Sequence, residues 1–272
     1  MIDKIEINKL ITGYKNGFHL KSITTTIKNG SITGLIGPNG SGKSTLLKSI
    51  VGYLKPLSGE ILIDGINIKN LDKKVRSKKI AFIGQKIGDI DITVKDYLLF
   101  GRLPYFGKFQ LFETKKDIEI IEYYANYLGI IHFLNRNLSE LSGGEQQVVA
   151  ICGALVQSAD ILLLDEPTAH LDINYQIKIM DILKDLNQKI GFTIVIVLHD
   201  LNLAAEYCDN LLLMSKGELK FHGDVLDVIQ YDKLEQVYNT VVITQINPLS
   251  KKPFVIPISK SLLEISKNVR QE

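Results

Sequence analysis

Several features that define other classes of protein are scarce or missing in this sequence. It has two cysteines among 272 residues, Cys152 and Cys208, which are too few for a disulfide framework and form no metal-binding cluster. Cys152 falls in an apolar helical pattern, which predicts a buried thiol. The charges nearly balance, with 32 Lys and Arg against 30 Asp and Glu. Bulk electrostatics therefore predicts neither a nucleic-acid partner nor binding to an anionic membrane.

Long hydrophobic runs are also missing. Runs such as ILLL at 161–164 and FTIVIVL at 192–198 are far shorter than the roughly 20 residues that cross a bilayer. The first ten residues carry scattered charges and no continuous apolar segment, so they do not resemble a secretory signal. We therefore expect a soluble, cytosolic chain that would need another protein to hold it at a membrane.

The first part of the chain favours an antiparallel sheet. KIEINKL, from residue 4, alternates apolar and polar residues, and GEILIDG, from residue 59, ends in an Asp-Gly turn. Between them, SITGLIG (31–37) predicts a buried strand that leads directly into a glycine-rich loop. KSTLLKSIVGYL (43–54) then has helical spacing.

The middle of the chain favours helices from about 92 to 156, with Thr93 and Thr114 as predicted N-caps. Beyond it, DILLLDEP, a helical stretch and FTIVIVLHD follow in the order strand, helix, strand. This order predicts a parallel sheet with right-handed crossovers. We therefore expect a parallel α/β core that is interrupted by a helical insert at about 86–156.

The glycine-rich loop, GPNGSGKST at 37–45, fits the pattern G-x-x-x-x-G-K-[ST] between a strand and a helix. Its glycines let successive N–H groups turn inward toward a β-phosphate, and the helix that follows adds about half a positive charge. Lys43 is predicted to reach the β- and γ-phosphates, and the Ser44 hydroxyl is predicted to ligate Mg²⁺. A chance glycine turn is the competing interpretation, and both flanks argue against it. The residues assigned to nucleotide binding are Gly37, Pro38, Asn39, Gly40, Ser41, Gly42, Lys43, Ser44 and Thr45.

Two carboxylates follow the apolar strand ILLL. Asp165 and Glu166 are expected at its C-terminal edge, where sheets of this kind place their ligands. Asp165 is predicted to hold Mg²⁺ through water, and Glu166 to polarise the attacking water as general base. Alone, such a pair would more often be a solvated strand end, and the phosphate loop in the same chain favours the functional role.

A second glycine turn, LSGGEQQ at 141–147, resembles the signature motif of ABC-type ATPases. Four other positions match motifs of that family in order and spacing. They are Tyr14 in TGYKNG (the aromatic that stacks on adenine), Gln85 in AFIGQK (the glutamine loop), Asp172 in AHLD (the loop after the acidic strand) and His199 in VLHD (the switch histidine). The resemblance spans essentially the whole chain.

The resemblance implies an α/β fold of the P-loop NTPase type, with a RecA-like parallel-sheet core. An N-terminal antiparallel β subdomain and an inserted α-helical subdomain are also implied. Residues 1–245 would form the ATPase domain, and 246–272 a short C-terminal extension.

The resemblance also implies how the site is divided. Ser142, Gly143, Gly144 and Asp172 would bind the ATP that the opposite subunit holds, so that two chains pair head-to-tail as a homodimer with no nucleic-acid partner. Hydrolysis would remove the γ-phosphate and let the halves part.

Roles for the remaining positions follow from the same resemblance. His199 would hydrogen-bond the γ-phosphate and steady the attacking water, and Gln85 would touch Mg²⁺ and connect the site to the helical insert. The implied catalytic set is Glu166, His199, Lys43 and Gln85, and the implied metal set is Ser44, Gln85 and Asp165. For Tyr14 the competing interpretation is an ordinary tyrosine at a strand end, and adenine stacking is favoured over it.

Two positions depart from the family pattern. Glu145 stands where the family commonly has Gln, and Val148 is near the place where it has Arg. The Ser-Gly-Gly core is intact, so recognition of the γ-phosphate is expected to survive these changes.

Local segments indicate what the ATP drives. TVKDYLLFGRLPYFGKF (93–109), AHLDINYQ (169–176) and the tail from Tyr238 resemble importers of iron–siderophore, haem and cobalamin. The resemblance implies an ATPase subunit that drives a separate membrane permease. This subunit would lie on the cytoplasmic side of the membrane, held there by the permease. The full complex would also contain an extracytoplasmic substrate-binding protein. The alternatives are the ATPase of an exporter, a non-transport ABC ATPase and a nucleotide-binding regulator. The cargo stays open because its contacts would lie in other subunits.

Overall fold

The computed structural model of the chain describes residues 3–15, 17–85, 88 and 91–259. The strands are, in chain order, β1 (Asp3–Gly13), β2 (His19–Lys28), β3 (Ile32–Ile36), β4 (Ser58–Ile63), β5 (Ile66–Asn67), β6 (Ile80–Ile83), β7 (Ile161–Leu164), β8 (Thr193–Val197), β9 (Asn210–Ser215), β10 (Glu218–Asp224), β11 (Val242–Ile246) and β12 (Pro253–Pro257). The helices are α1 (Lys43–Ile50), α2 (Lys73–Lys79), α3 (Val94–Phe100), α4 (Lys115–Tyr127), α5 (Gly143–Val156), α6 (Ile173–Ile190), α7 (Leu201–Tyr207), α8 (Val225–Val228) and α9 (Tyr231–Tyr238).

Two sheets of opposite character form the body of the molecule. The N-terminal sheet has the order β2-β1-β4-β5, and all of its pairs are antiparallel. The larger sheet has the order β10-β9-β3-β8-β7-β6, with parallel pairs from β9 to β6 and an antiparallel edge strand, β10. The predicted fold class, a parallel-sheet core with an N-terminal antiparallel sheet, is confirmed.

The central strands of the parallel sheet are buried on both faces. Every residue of β3, β7 and β8 is buried, which explains why these segments read as continuous apolar runs rather than alternating ones. Successive side chains point to opposite faces of a strand. Thus Leu163 packs with β1, β2 and α1 in one core, whereas Leu162 and Leu164 pack with α5 and α6 in the other.

The chain between β6 and β7 carries three of the helices, α3, α4 and α5. Thr93 caps α3 by accepting a hydrogen bond from Asp96 N, and Thr114 caps α4 in the same way with Asp117 N. Both predicted N-caps are confirmed. A buried ion pair fastens α4 to the end of α3, since Arg102 Nε donates to Asp117 Oδ1 at 2.8 Å. The predicted start of the insert, at residue 86, lies outside the described residues, and its extent stays a prediction.

The C-terminal part of the chain returns to the parallel sheet. β11 and β12 form an antiparallel hairpin, and β12 packs on α7. The predicted boundary between residues 245 and 246 falls within the last residues of β11, so the hairpin continues across it. The division of the chain at that point stays a prediction, and residues 260–272 of the predicted extension lie outside the described residues. In the described ranges, no helix combines the length and apolar character that a membrane span requires.

Candidate active site

The phosphate loop connects the buried strand β3 to α1. Gly37, Gly40 and Gly42 all have positive φ, at 141°, 74° and 105°, a region that costs other residues strain. At Gly37 a side chain is also excluded by space, because a Cβ atom there would lie 2.1 Å from the carbonyl oxygen of Met214. The loop can therefore take this shape only with glycine at its first position.

Lys43, the first residue of α1, folds back over this loop. Its Nζ donates to Gly37 O at 2.8 Å and to Pro38 O at 3.1 Å, and the residue is only 5% exposed. Burial lowers the pKa of Lys43, while the nearby carboxylates of Glu166 and Asp165 act in the opposite direction. The ammonium group thus sits at the mouth of the loop and is held only by neutral carbonyl oxygens.

Ser44 and Asp165 meet beside Lys43. The Ser44 hydroxyl donates to Asp165 Oδ1 at 2.8 Å. Burial of Asp165 raises its pKa and the charge of Glu166 adds to this, while the Ser44 hydrogen bond, Lys48 and Lys43 act against it. Two oxygen donors within hydrogen-bonding distance fit a hard cation, because Mg²⁺ binds through one or two protein oxygens together with phosphates.

Glu166 lies between two other side chains that the sequence had singled out. Gln85 Nε2 donates to Glu166 Oε2 at 3.0 Å, and His199 Nε2 lies 2.6 Å from Glu166 Oε1. The backbone of Glu166 is left-handed, with φ of 56°. A non-glycine residue in that region is a form of strain that occurs often in functional sites.

The strand register explains why these three residues meet. Gln85, Glu166 and His199 each stand two residues beyond the end of a strand, namely β6, β7 and β8. The three strands are neighbours in the sheet and run parallel, with Ile83 opposite Leu164 and Leu164 opposite Ile196. Their carboxyl ends therefore fall at one edge, beside the loop that follows β3.

The second glycine turn is built differently. Ser142 is the N-cap of α5 and forms a capping box with Glu145. Both the Ser142 hydroxyl and its backbone N–H donate to Glu145 Oε2, at 2.7 and 2.8 Å. These hydrogen bonds from Ser142 lower the pKa of Glu145. Sequence reasoning identified Glu145 only as a departure from a pattern, although S-x-x-E is a recognisable capping signal.

The turn at Ser142 packs on the loop that contains Asp172. A Cβ atom built on Gly144 would lie 2.3 Å from the ring of Tyr175, and one on Gly143 would lie 3.7 Å from Leu171. Asp172 is the N-cap of α6 and accepts a hydrogen bond from Tyr175 N at 3.0 Å. The structure thus brings Asp172 and the Ser-Gly-Gly turn together on one surface.

Phe18, rather than Tyr14, borders the phosphate loop. Phe18 lines a cleft together with Asn39, Gly42, Lys43 and Glu166, and a Cβ atom on Gly42 would lie 2.8 Å from its ring. Tyr14 is 44% exposed in the preceding turn, and its predicted role in adenine stacking stays a prediction. Sequence reasoning missed Phe18 because both aromatics belong to the short segment YKNGF, and nothing local distinguishes them.

A separate groove of about 480 Å³ lies between α2 and the end of α3. Its floor is apolar, with Phe82, Phe100 and Leu103, and one wall is basic, with Lys74 and Arg76. It lies outside the cluster around Glu166 and offers a concave surface of mixed chemistry.

Comparisons with known proteins place this geometry in a family. The ABC transporter family profile matches residues 20–169. A petrobactin import ATP-binding protein of Bacillus anthracis is 37% identical over 254 residues, which cover 93% of this chain and 92% of that protein. The ferric enterobactin transport ATP-binding protein of Escherichia coli K12 is 31% identical over 261 residues, which cover 96% of each chain.

Solved structures agree with this. A chain from a transporter assigned to the metal-chelate type, in an inward-facing conformation, aligns with a TM-score of 0.84 at 25% identity, covering 96% of this chain and 100% of that one. A dimeric bacterial ABC transporter cassette aligns with a TM-score of 0.72 at 33% identity, covering 81% and 98%. The family match, the relatives and the arrangement around the phosphate loop lead to one conclusion: this chain belongs to the ABC transporter family, as one of its ATP-hydrolysing cassettes.

Proposed function

We propose that this cassette binds ATP and Mg²⁺ between its own phosphate loop and the Ser142 turn of a second copy, and hydrolyses the ATP to drive an importer of metal chelates. The observation that carries the catalytic part is the placement of Glu166 between Gln85 and His199, at the edge of the sheet beside Lys43. This arrangement supplies a base, an orienting group and a cation within one cluster.

The residues of the phosphate loop would bind the negatively charged phosphates of the nucleotide. Lys43 would exchange its two carbonyl partners for the β- and γ-phosphate oxygens, which are stronger acceptors because they are charged. Ser44 and Asp165 would hold Mg²⁺, which neutralises charge on the phosphates when bound. The backbone N–H groups between Gly37 and Lys43 would complete the cradle.

Glu166 would act as general base. Its carboxylate would accept a proton from water as the water oxygen forms a bond to the γ-phosphorus and the bond to the β-bridging oxygen breaks. Gln85 and His199 hold the two carboxylate oxygens from opposite sides, which fixes the orientation of the base. When ATP is bound, His199 would turn from Glu166 toward the γ-phosphate.

The second half of the site would come from another chain. Ser142 stands at the N-terminus of a 14-residue helix, where backbone N–H groups and the helix dipole favour an anion. The Ser-Gly-Gly turn and Asp172 form one continuous surface, which suits contact with the γ-phosphate of a partner. Two copies would thus enclose two ATP molecules, and the loss of the γ-phosphates would weaken the pair.

The relatives suggest the kind of work that is driven. They are named for petrobactin import and for ferric enterobactin transport, and a cobalamin import ATP-binding protein of Halobacterium salinarum is 33% identical over 88% of this chain. We infer a cargo of the same class, a chelated metal. The groove between α2 and α3 would receive a cytoplasmic segment of the permease and hold the cassette at the membrane, with a substrate-binding protein on the other side.

Complementation between two inactive variants tests the divided site. Lys43→Met would disable the phosphate loop and Ser142→Ala the turn, so each homodimer should hydrolyse ATP poorly. A mixture should recover activity, because a mixed pair contains one site with both halves intact. A mixture no more active than its components would refute the composite site, as would full activity in a strictly monomeric preparation.

Transport by a reconstituted complex tests the cargo. The cassette would be combined in proteoliposomes with its permease and binding protein, and uptake of a labelled ferric siderophore, haem and cobalamin would be measured in parallel. ATP-dependent uptake of one of them is expected. Hydrolysis without uptake of any of the three would refute the cargo class and leave the ATPase assignment standing.

A further inference from the structure

The helix that follows His199 is too short to hold its own position. α7 has seven residues, Leu201–Tyr207, and helices of this length are marginal without tertiary support. Asp200 caps its N-terminus by accepting hydrogen bonds from Asn202 N and Leu203 N at 2.7 and 3.1 Å. His199 lies between the end of β8 and this cap, so the direction of α7, together with the strand, affects where the imidazole lies.

Asn202 ties the first turn of α7 to the C-terminal hairpin. Its Oδ1 accepts from Val255 N at 2.7 Å, and its Nδ2 donates to Val255 O at 3.3 Å. The amide thereby replaces a neighbouring strand for one residue of β12, since it satisfies both backbone groups at once. Val255 is 7% exposed and belongs to the main core cluster, which makes it a firm point of attachment.

Lys252 ties the last turn of α7 to the same hairpin. Its Nζ donates to Glu206 O at 2.7 Å and to Cys208 O at 3.1 Å. The last carbonyl groups of a helix have no partner within the helix, and a lysine there also offsets the negative end of the helix dipole. Both ends of α7 are thus held by residues that are only three positions apart in the hairpin.

A third contact joins this part of the chain to the phosphate loop. Tyr238 ends α9, shortly before β11, and packs against the main core. Burial raises the pKa of Tyr238 to about 12, against the opposing effect of a hydrogen bond from the backbone of Gly37. α9 therefore ends beside Gly37 of the phosphate loop, and the hairpin that follows it holds α7.

We propose that the β11–β12 hairpin is a positioning device, in which Lys252 and Val255 hold α7, and with it the backbone of His199, at the edge of the sheet beside Glu166. The proposal rests on the catalytic role inferred above for the Glu166–His199 pair. Asn202 and Lys252 are positioning residues in this scheme. Their hydrogen bonds join α7 to the hairpin, and they act through the imidazole.

Lys252→Met and Asn202→Ala test this, with Lys251→Met as the matched control on the neighbouring, exposed lysine. Each of the two test variants should lower kcat about 10-fold with KM for ATP nearly unchanged, within the range seen when a catalytic group is misplaced by less than about 1 Å. Lys251→Met should behave as the unaltered protein does. Equal kcat in all four proteins would overturn the proposal.

Combination with His199→Ala separates positioning from a general structural effect. If the hairpin acts through His199, adding Lys252→Met to His199→Ala should produce no further loss in single-turnover hydrolysis. A further 10-fold loss would mean that the hairpin acts elsewhere and would overturn the proposal. His199→Ala with full activity would instead refute the role of His199 itself, so the two failures are distinguishable.

Nuclear magnetic resonance of histidine labelled with ¹⁵N gives a second measurement on the folded protein. The chain has five histidines, so their ring signals can be assigned by single substitutions. Lys252→Met should shift the ring signals of His199 and leave those of His19, His132 and His222 in place. Unchanged His199 signals would contradict the proposal even if activity fell.

Discussion

The two glycine turns of this molecule both precede a helix, yet they are opposites in construction. The phosphate loop uses three glycines with positive φ, and the helix that follows has a buried lysine and no acidic residue in its first turn. The turn at Ser142 has helical glycines, an exposed serine and an acidic residue, Glu145, in its first turn. The phosphate loop would close around an anion within one chain, whereas the turn at Ser142 is a helix end whose N-cap already donates to the Glu145 carboxylate.

This difference shows that an anion site can be formed within one chain or can need a second chain to complete it. In the function proposed above, the wrapped backbone and Lys43 would give the phosphate loop its affinity within one chain. The turn at Ser142 offers a helix end and a hydroxyl that donates to Glu145, and it would contact a phosphate when a partner chain presents one. Four substitutions, taken in order of expected effect, test this difference between the two turns.

Glu166→Gln should have the largest effect, because it removes the chemistry and leaves both turns intact. Hydrolysis should fall by about 10²- to 10⁴-fold, the range for loss of a general base, with ATP binding retained. Phosphate release and binding of a fluorescent ATP analogue measure the two quantities. Glu119→Gln, on the exposed side of α4, is the control. Normal hydrolysis in Glu166→Gln would show that another group is the base.

Lys43→Met should have the second-largest effect and should change nucleotide binding by the phosphate loop alone. A hydrogen bond to a charged partner contributes about 1.5–3 kcal/mol, so ATP should bind roughly 10- to 150-fold more weakly to the monomer. Equilibrium titration with the fluorescent analogue measures this, and Lys55→Met on the surface controls for net charge. Unaltered affinity would mean that the ammonium keeps its carbonyl partners when ATP is bound.

Ser142→Ala should leave that titration unchanged and act only on pairing of the chains. The protein contains a matched control in Thr114, which caps α4 with the same type of capping box. Loss of either N-cap should cost about 1 kcal/mol of stability. Only Ser142→Ala should reduce dimerisation in ATP, measured on the Glu166→Gln background by sedimentation. Similar dimerisation in both cap variants would contradict the assignment of the Ser142 turn to the partner's nucleotide.

Glu145→Gln should have the smallest effect, and in the opposite direction. A neutral side chain keeps the geometry of the capping box but removes the negative charge beside the expected phosphate, so dimerisation in ATP should tighten by a few-fold. Glu140→Gln, a nearby exposed glutamate, is the control. Weaker dimerisation would show that the carboxylate organises the turn more than it repels the ligand.

The same residue gives a pH dependence with a defined sign. The pKa of Glu145 is lowered in the folded chain by its hydrogen bonds from Ser142. Its stabilising effect on α5 is therefore complete above the pKa of the unfolded chain and is lost as the pH falls through the lowered, folded value. Thermal unfolding of the original chain and of Glu145→Gln should accordingly differ at neutral pH and converge in acid.

Sequence patterns predicted the parts of the structure that depend on neighbouring residues. Strands β1, β3, β4, β7 and β8, the helix after the phosphate loop and the caps Thr93 and Thr114 all depend on periodicity or on contacts three residues away. Such patterns could not predict contacts between segments that are far apart in the sequence. The pairing of Asn202 with Val255 spans 53 positions, and the position of Phe18 beside the phosphate loop depends on where the sheet places Gly42.

In the candidate site, too, the sequence predicts some features and the fold determines the others. Motifs indicated which residues belong to it, while the register of β6, β7 and β8 determines which of them touch. The sequence could not show that Glu166 Oε1 faces His199 and Oε2 faces Gln85, because that depends on three strands aligning to within one residue. It also could not show that Glu145 accepts both hydrogens of Ser142, since a glutamate at that position can equally extend into solvent.

Because Gln85, Glu166 and His199 follow neighbouring strands, the spacing of the strands sets the distances between these side chains. Adjacent strands are about 4.8 Å apart, so side chains that follow neighbouring strand ends at nearly the same height can hydrogen-bond directly. A one-residue deletion within β7 would turn its side chains to opposite faces and take Glu166 away from Gln85 and His199. Conversely, exchanging the three side chains could install a different chemistry on an unchanged scaffold.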